Sequence, residues 1–357
     1  MSSITLTAVG DILLKTNDNS DPFYMVRESL SEGNIVFGNL ETVLSQSPVR
    51  AKKAHVLYED PEKVRYLKDP GFDVVNVANN QILDLWVEGF HDILNVLEQN
   101  LISYVGGGHS KNENRPVIIE RNNIKLGFPG YISGRWRVPK EIAINKIQER
   151  EVLRDIAQPK KSCDHVIVSL HWGIEHVLYP SPDQIDLGHR LIDEGASVIL
   201  GHHPDALQGI EEYHGDLIAY SLGNFPFEHK PPFGKPDQSM SQSVNIEIKR
   251  VCEYSMIACT INENFASQVA YEREEEDIRK DILQISDSTT NGLENPTWWY
   301  KEIVDLYLTG NMKKYEKRIG NETLKPLVEC IVWLMTSFCI KCYQGFLRRR
   351  TDELNME

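Results

Sequence analysis

The chain has 357 residues, 41% of them hydrophobic, and carries a formal net charge of -14. That length can bury a full core and leaves room for an appendage beside one large domain. The acidic balance excludes a broad nucleic-acid surface, which needs clustered Lys and Arg, and the basic run at residues 348–350 reads as a solvated helix end.

The amino-terminal string MSSITLTAVGDILL lacks a basic segment followed by a long apolar one. It reads as a first strand rather than a signal peptide or anchor, and a cytoplasmic location is the expectation. Residues 324–346 are apolar but interrupted by Lys325, Pro326, Glu329, Lys341 and Gln344. A membrane span of about 20 residues tolerates few such groups, so a buried helix is expected there. The six cysteines show no disulfide-framework spacing, and reduced thiols are expected. Cys339 and Cys342 form one C-x-x-C without a second pair, which reads as core or half-buried thiols rather than a zinc site.

In chain order, a β run at 4–9 ends at Gly10-Asp11, and a helix fits 21–30. A second β run at 34–37 ends at Gly38-Asn39-Leu40-Glu41, followed by a helix at 61–68. A third, 73–77, ends at Ala78-Asn79-Asn80-Gln81, after which 84–99 carries helical periodicity through Leu85, Phe90, Ile93, Leu94 and Leu97. Further strands fit 103–105, 117–120, 124–129, 165–170, 197–200, 217–221, 244–250 and 255–261. Helices fit 141–157 and 183–194, the latter with Pro182 just ahead of its first turn. Alternating strands and helices followed by hairpin-like pairs predict a mixed two-sheet α/β body. Residues 229–243, rich in Pro, Gly and Ser, read as a long loop, either a lid, a partner surface or a mobile segment. From 271 the pattern turns helical and polar, with helices at 273–285, 298–308 and 324–347. The expected division is a domain at 1–270 and a helical appendage at 271–357, with Trp298, Trp299 and Tyr300 either under that tail or at a subunit contact.

The strand ends carry Asp11, Glu41, Asn79 or Asn80, His171, His202, His203 and Asp205. Open α/β sheets build their sites at such ends. Carboxylate, amide oxygen and imidazole together suit zinc, manganese or iron, whereas magnesium and calcium prefer oxygen alone. The set suffices for two divalent metals about 3.5–4 Å apart, able to clamp a phosphoryl or carbonyl oxygen. Each residue has a plainer alternative: Asp11 as a cap or turn residue, the asparagines as turn formers, His171 as a satisfied core histidine. His202 and His203 follow an apolar strand and Gly201, and both serve one site only if the backbone turns there.

The strings AVGDILL, FGNLETVLS, VNVANNQILDLWVEGF, SLHWGIE, GHHPDALQGIE and AYSLGNF, spread over residues 4–261, resemble the bacterial CapA (PGA_cap, poly-γ-glutamate capsule-synthesis) family, and their order of ligands resembles the calcineurin-like metallophosphatases. The resemblance implies a four-layer α-β-β-α sandwich with a site on loops at one edge of the sheets, and a role in polyglutamate capsule synthesis or export. It places Asp11, Glu41, Asn80, His171 and His203, with His202 beside it, as metal ligands, and Glu175 and Asn224 as residues lining the site. Among these, Asp11, His171 and His203, together with Gln81, occupy catalytic positions. Gln81 stands where the family carries the histidine of ANNH, the expected general acid. Glutamine cannot deliver a proton, and losing a general acid costs about 10²–10⁴ in rate. Asp205 replaces a histidine and, as a harder ligand, favours manganese, iron or magnesium over zinc.

The reading that follows is a metal-dependent hydrolase or phosphoesterase with an altered site. One alternative is a non-hydrolytic protein that binds or assembles a polyanionic polymer through Lys52, Lys53, Arg135 and Arg137. Another is a tailoring enzyme acting on amide bonds of a small peptide or amino acid, with residues 130–136 lining a pocket and Arg135 or Arg137 binding a carboxylate.

Overall fold

The computed structural model describes residues 2–291 and 299, apart from 54, 111–112, 114–115, 135–136, 158–159, 161, 228–237 and 249. Arg135, the Cys339 and Cys342 pair, Trp298, Tyr300 and the helices expected beyond 291 lie outside the described residues.

The chain opens with β1 (Ser3–Ile12), α1 (Arg27–Ser31), β2 (Ile35–Leu40), the short β3 (Val43–Leu44) and β4 (Tyr58–Glu59), and α2 (Arg65–Lys68). Next come β5 (Phe72–Asn76), α3 (Trp86–Gln99), β6 (Ser103–Val105), β7 (Gly107–Gly108), β8 (Val117–Arg121), β9 (Ile124–Phe128), β10 (Gly130–Ile132) and β11 (Ala143–Ile144). Then follow α4 (Glu149–Ala157), β12 (His165–His171), α5 (Pro182–Glu194), β13 (Val198–His202), β14 (Ile210–Tyr213) and β15 (Asp216–Ala219). The last are β16 (Gln238–Glu247), β17 (Arg250–Ile261), β18 (Ser267–Val269) and α6 (Arg273–Asn291).

Two large sheets result, in the orders β18-β17-β16-β1-β2-β5-β6 and β14-β15-β13-β12-β9-β8. Parallel pairing of β1, β2, β5 and β6 in one sheet, and of β9, β12, β13 and β15 in the other, brings their carboxyl ends to one edge of each sheet. Alternation along β1 explains the layering: Ile4, Leu6 and Ala8 join Phe37, Phe128, Ile167 and Leu200 between the sheets, where the rings of Phe37 and Phe128 stack with centroids 5.9 Å apart. Val9 faces the other way, as does Ile12 beyond a register shift between Ala8 and Asp11, into a layer with Phe90, Ile93, Leu94 and Leu97 of α3, four positions on one helical stripe. Val152 and Ile156 of α4 and Leu191 and Ile192 of α5 cover the outer face of the second sheet, against Val168 and Ile199. The fold is therefore the expected four-layer α-β-β-α sandwich.

α5 begins with Pro182 in its first turn and a capping box between Ser181 and Gln184, and stops at Gly195 with φ 116°. Three sequence expectations change. The helix foreseen at 141–157 is shorter, because Ala143 and Ile144 pair with Gly108 and Gly107 as a strand. The helix foreseen at 21–30 is confined to Arg27–Ser31, after a turn in which Asp21 accepts the Phe23 N–H. The loop foreseen to 243 ends by Gln238, since 238–247 forms a strand held on both sides by β1 and β17, burying Ser239, Ser241 and Gln242.

The chain divides into compact units at Met1–Asp287 and Ser288–Glu357. The first reaches past residue 270 because Ile278 and Ile282 of α6 pack into the core between the sheets.

Candidate metal centre

Side chains from the ends of β1, β2, β5, β12 and β13 meet at the common edge. Two glycines make the approach possible. A Cβ on Gly10 would sit 1.9 Å from the Gly223 carbonyl oxygen, and one on Gly201 1.9 Å from that of Tyr220. Only glycine lets the 220–224 segment run this close to both strands. The pairing with β2 shifts register between Ala8 and Asp11 as β1 reaches this crossing, where the Asp11 N–H donates to the Gly223 oxygen at 2.9 Å.

Asp11, Glu41 and His171 are buried, and each offers a ligand atom within 4.8 Å of the others. The Asn39 carboxamide sits among them. Its Nδ2 donates to Asp11 Oδ1 at 2.6 Å and Glu41 Oε1 at 3.4 Å, and lies 3.3 Å from His171 Nδ1. Its Oδ1 accepts from Asn76 Nδ2 at 2.9 Å and Asn79 Nδ2 at 3.4 Å. Asn79 also donates to the Leu40 carbonyl at 2.7 Å. A file of carboxamides thus runs from β5 through β2 to the Asp11 carboxylate.

The second sheet supplies imidazoles. His202 is fully buried, with Nδ1 3.5 Å from Asp11 Oδ1, and neither of its ring nitrogens has a hydrogen-bond partner; the same holds for His171 Nε2. Buried polar atoms without partners are costly, and their convergence on carboxylates is what a metal would relieve. The backbone does turn after His202: His203 has φ 97°, its N–H donates to Asp11 Oδ2 at 2.9 Å, and its ring lies 4.6 Å from that of His171. Such a conformation costs on the order of 1–3 kcal/mol in a non-glycine residue.

Electrostatics follow from burial. Glu41 is held well above the usual carboxylate range by desolvation and by the charges of Asp11 and Asp205, with Lys53 opposing. Asp205 is raised by desolvation, Asp11 and Glu175, with Asn224 acting in the other direction. Desolvation lowers His171, helped by the neighbouring histidines, and it lowers His203. Neutral imidazole is the form that binds a metal.

The remaining sequence candidates lie around this cluster. Asn224 is buried and bridges Asp11 through backbone pairing. Asn80 keeps its Oδ1 buried and without a partner. Glu175 is at the exposed rim, where its charge acts on Asp205 and His203. Gln81 Oε1 accepts from Lys53 Nζ, which also pairs with the buried Asp84. Arg137 is exposed. Sequence reasoning missed Asn39 and Asn76, although Asn39 shares the Glu41 face of β2 by the two-residue strand period.

Two facing sheets with a carboxylate, imidazole and carboxamide cluster at their common edge define a protein of the metallophosphatase fold type. A solved structure described as a novel phosphatase from Mycoplasma pneumoniae superimposes with a TM-score of 0.51 at 14% identity, covering 73% of this chain and 94% of that one. The chain belongs to the bacterial capsule synthesis protein family PGA_cap, which matches residues 5–229. It is similar to the capsule biosynthesis protein CapA of Bacillus anthracis, 31% identical over 246 residues, and to the PGA biosynthesis protein CapA of Bacillus subtilis, 33% identical over 214. The matches cover 63% and 58% of this chain and 60% and 56% of those relatives. Among the described residues, no helix is long and apolar enough to cross a membrane.

Proposed function

We propose that this domain is a metal-dependent hydrolase serving poly-γ-glutamate capsule or related biosynthesis, cleaving a phosphoester or an amide of an acidic polymer or its precursor. The observation that carries the proposal is the buried Asp11, Glu41 and His171 cluster, with open nitrogens on His171 and His202. Asp11, Glu41, His171 and His202 would hold a divalent ion, and Asn80, which follows the end of β5, with His203 and Asp205, which follow the end of β13, would complete a second position. Mixed oxygen and nitrogen donors suit manganese, iron or zinc. Such an ion, when bound, polarises a phosphoryl or carbonyl oxygen and lowers the pKa of water.

The chain's own groups act on geometry and charge. Asn39 fixes the orientation of Asp11, and His203 fixes it again through its backbone N–H. Glu175 keeps the rim acidic, and Gln81 orients Lys53 rather than transferring a proton. Metal analysis of the purified protein, followed by a screen of phosphoesters and γ-glutamyl peptides, tests the reading. It expects stoichiometric manganese, iron or zinc and hydrolysis that is lost in Asp11→Ala and His171→Ala. Protein that carries no metal and takes up none when offered manganese or zinc overturns it.

A further inference from the structure

The site is crowded with acid, yet the substrates implied above are anions. Asp11, Glu41, Asp205 and Glu175 act on one another electrostatically, and Lys53 is the cation that opposes them at Glu41. Lys53 enters from the loop that follows β3 and is held at the turn 80–81. Its Nζ contacts Gln81 Oε1 and Asp84 Oδ1, and approaches the Asn80 carbonyl at only 3.4 Å. Asp84 in turn accepts the Leu57 N–H at 2.6 Å and is nearly wholly buried, so the anchor of the ammonium is fixed. The Lys53 side chain is 32% exposed, and its third N–H has only the long contact to Asn80. An ammonium has three donors and no acceptor. Two of the three are spent on close contacts, and the third, which reaches the Asn80 carbonyl only at 3.4 Å, is the one a ligand oxygen would draw away.

We propose that Lys53 is the oxyanion-binding residue of this site, holding a phosphate or γ-glutamyl carboxylate oxygen of the substrate beside Asn80, with Gln81 and Asp84 keeping it there. The assignment rests on the hydrolase reading for its place in a reaction, but not for binding itself. It also gives Gln81 a task that a histidine at that position performs less well. The carboxamide oxygen accepts from an ammonium at any pH, whereas an imidazole repels it once protonated.

The test is titration calorimetry on the full chain, with and without manganese, using inorganic phosphate and γ-glutamyl-glutamate as separate probes. Removing Lys53 alone leaves Asp84 buried and unpaired, so Lys53→Met is compared with the double variant Lys53→Met/Asp84→Asn, which keeps the pair neutral. Both are expected to lose about tenfold or more in affinity for the recognised probe, the loss of one hydrogen bond to a charged group. Lys53→Arg should recover most of it, and metal content should match the parent in all three. The probe that loses affinity identifies the oxyanion. Full affinity for both probes in the double variant, or no binding of either probe by the parent chain, overturns the proposal. A chain that binds an anion through Lys53 yet takes up no metal overturns the hydrolase reading alone.

Discussion

Asn39 is the residue whose removal should be felt furthest. In Asn39→Ala the Asp11 carboxylate loses the 2.6 Å donor, and the Asn76 and Asn79 carboxamides lose their shared acceptor inside a buried cluster. Asn79 keeps its bond to the Leu40 carbonyl at 2.7 Å and Asn76 a longer one to Ala78 at 3.3 Å, so neither donor is fully orphaned. Leaving a buried polar group unsatisfied costs about 1–3 kcal/mol, and the charge-assisted bond at Asp11 falls in the upper half of that range. Allowing for the residual bonds, the expected loss is about 2–4 kcal/mol. At about 2–4 °C per kcal/mol for a unit of this size, the melting temperature should fall by on the order of 10 °C. Thermal unfolding of the metal-free protein by circular dichroism gives the number. Asn39→Asp sharpens the test, because it places a third carboxylate between Asp11 and Glu41. It should destabilise the metal-free chain more than alanine does, and manganese should restore more of the loss. A melting temperature unchanged in Asn39→Ala, or an Asn39→Asp chain indifferent to manganese, would refute the account of the carboxamide file.

His202→Phe removes two unpartnered ring nitrogens from a fully buried position beside Phe37, so it should stabilise the metal-free chain by about 1–2 kcal/mol while abolishing metal uptake. A lower melting temperature would mean that the imidazole is bonded in solution. Gly201→Ala drives a Cβ into the Tyr220 carbonyl and should cost at least about 3 kcal/mol, whereas Gly71→Asn, a left-handed position with open space, should cost under about 1 kcal/mol; equal melting temperatures would contradict the close approach. Raised carboxyls at Glu41 and Asp205 bind protons in the folded state above their ordinary pKa near 4, so they lower stability as pH rises from there through their raised values. The lowered His171 and His203 act oppositely, lowering stability as pH falls through about 6.5. A bound ion displaces protons from both kinds of group, so the rise in melting temperature given by manganese should be greater at pH 7.5 than at pH 5.5. Equal or greater stabilisation at the lower pH would show that these groups do not meet the metal.

The strands and their polar ends were legible because parallel pairing sends ligands to one edge; that the glycines before Asp11 and His202 lie where a neighbouring backbone passes is visible only in the fold. The turn at His203 was legible only as a condition, since sequence alone does not fix a φ of 97°. The strand at Gln238–Glu247 was hidden by composition: Ser239, Ser241 and Gln242 look like loop residues, yet they are buried in a strand that neighbours hold on both sides. Asn76 and Asn39 escaped notice for a related reason, as carboxamides signal turns in a sequence but here they tie strands together. The contact between Lys53 and Gln81 joins two loops 28 residues apart in the chain, across β4, α2 and β5, and had no periodic signature.

Asp11 and Asn39 belong to one sheet, with Glu41 directly after β2, and His171 and His202 belong to the other, with Phe37 and Phe128 stacked between the same two sheets. An ion shared by these ligands is a clasp whose grip depends on how far apart the two layers stand. Metal affinity is then a property of the hydrocarbon filling as well as of the ligands. Phe128→Leu or Phe37→Leu, which touch no donor atom, should alter it by letting the layers settle closer or slide. The hydrophobic interior becomes the spacer against which the metal site is gauged.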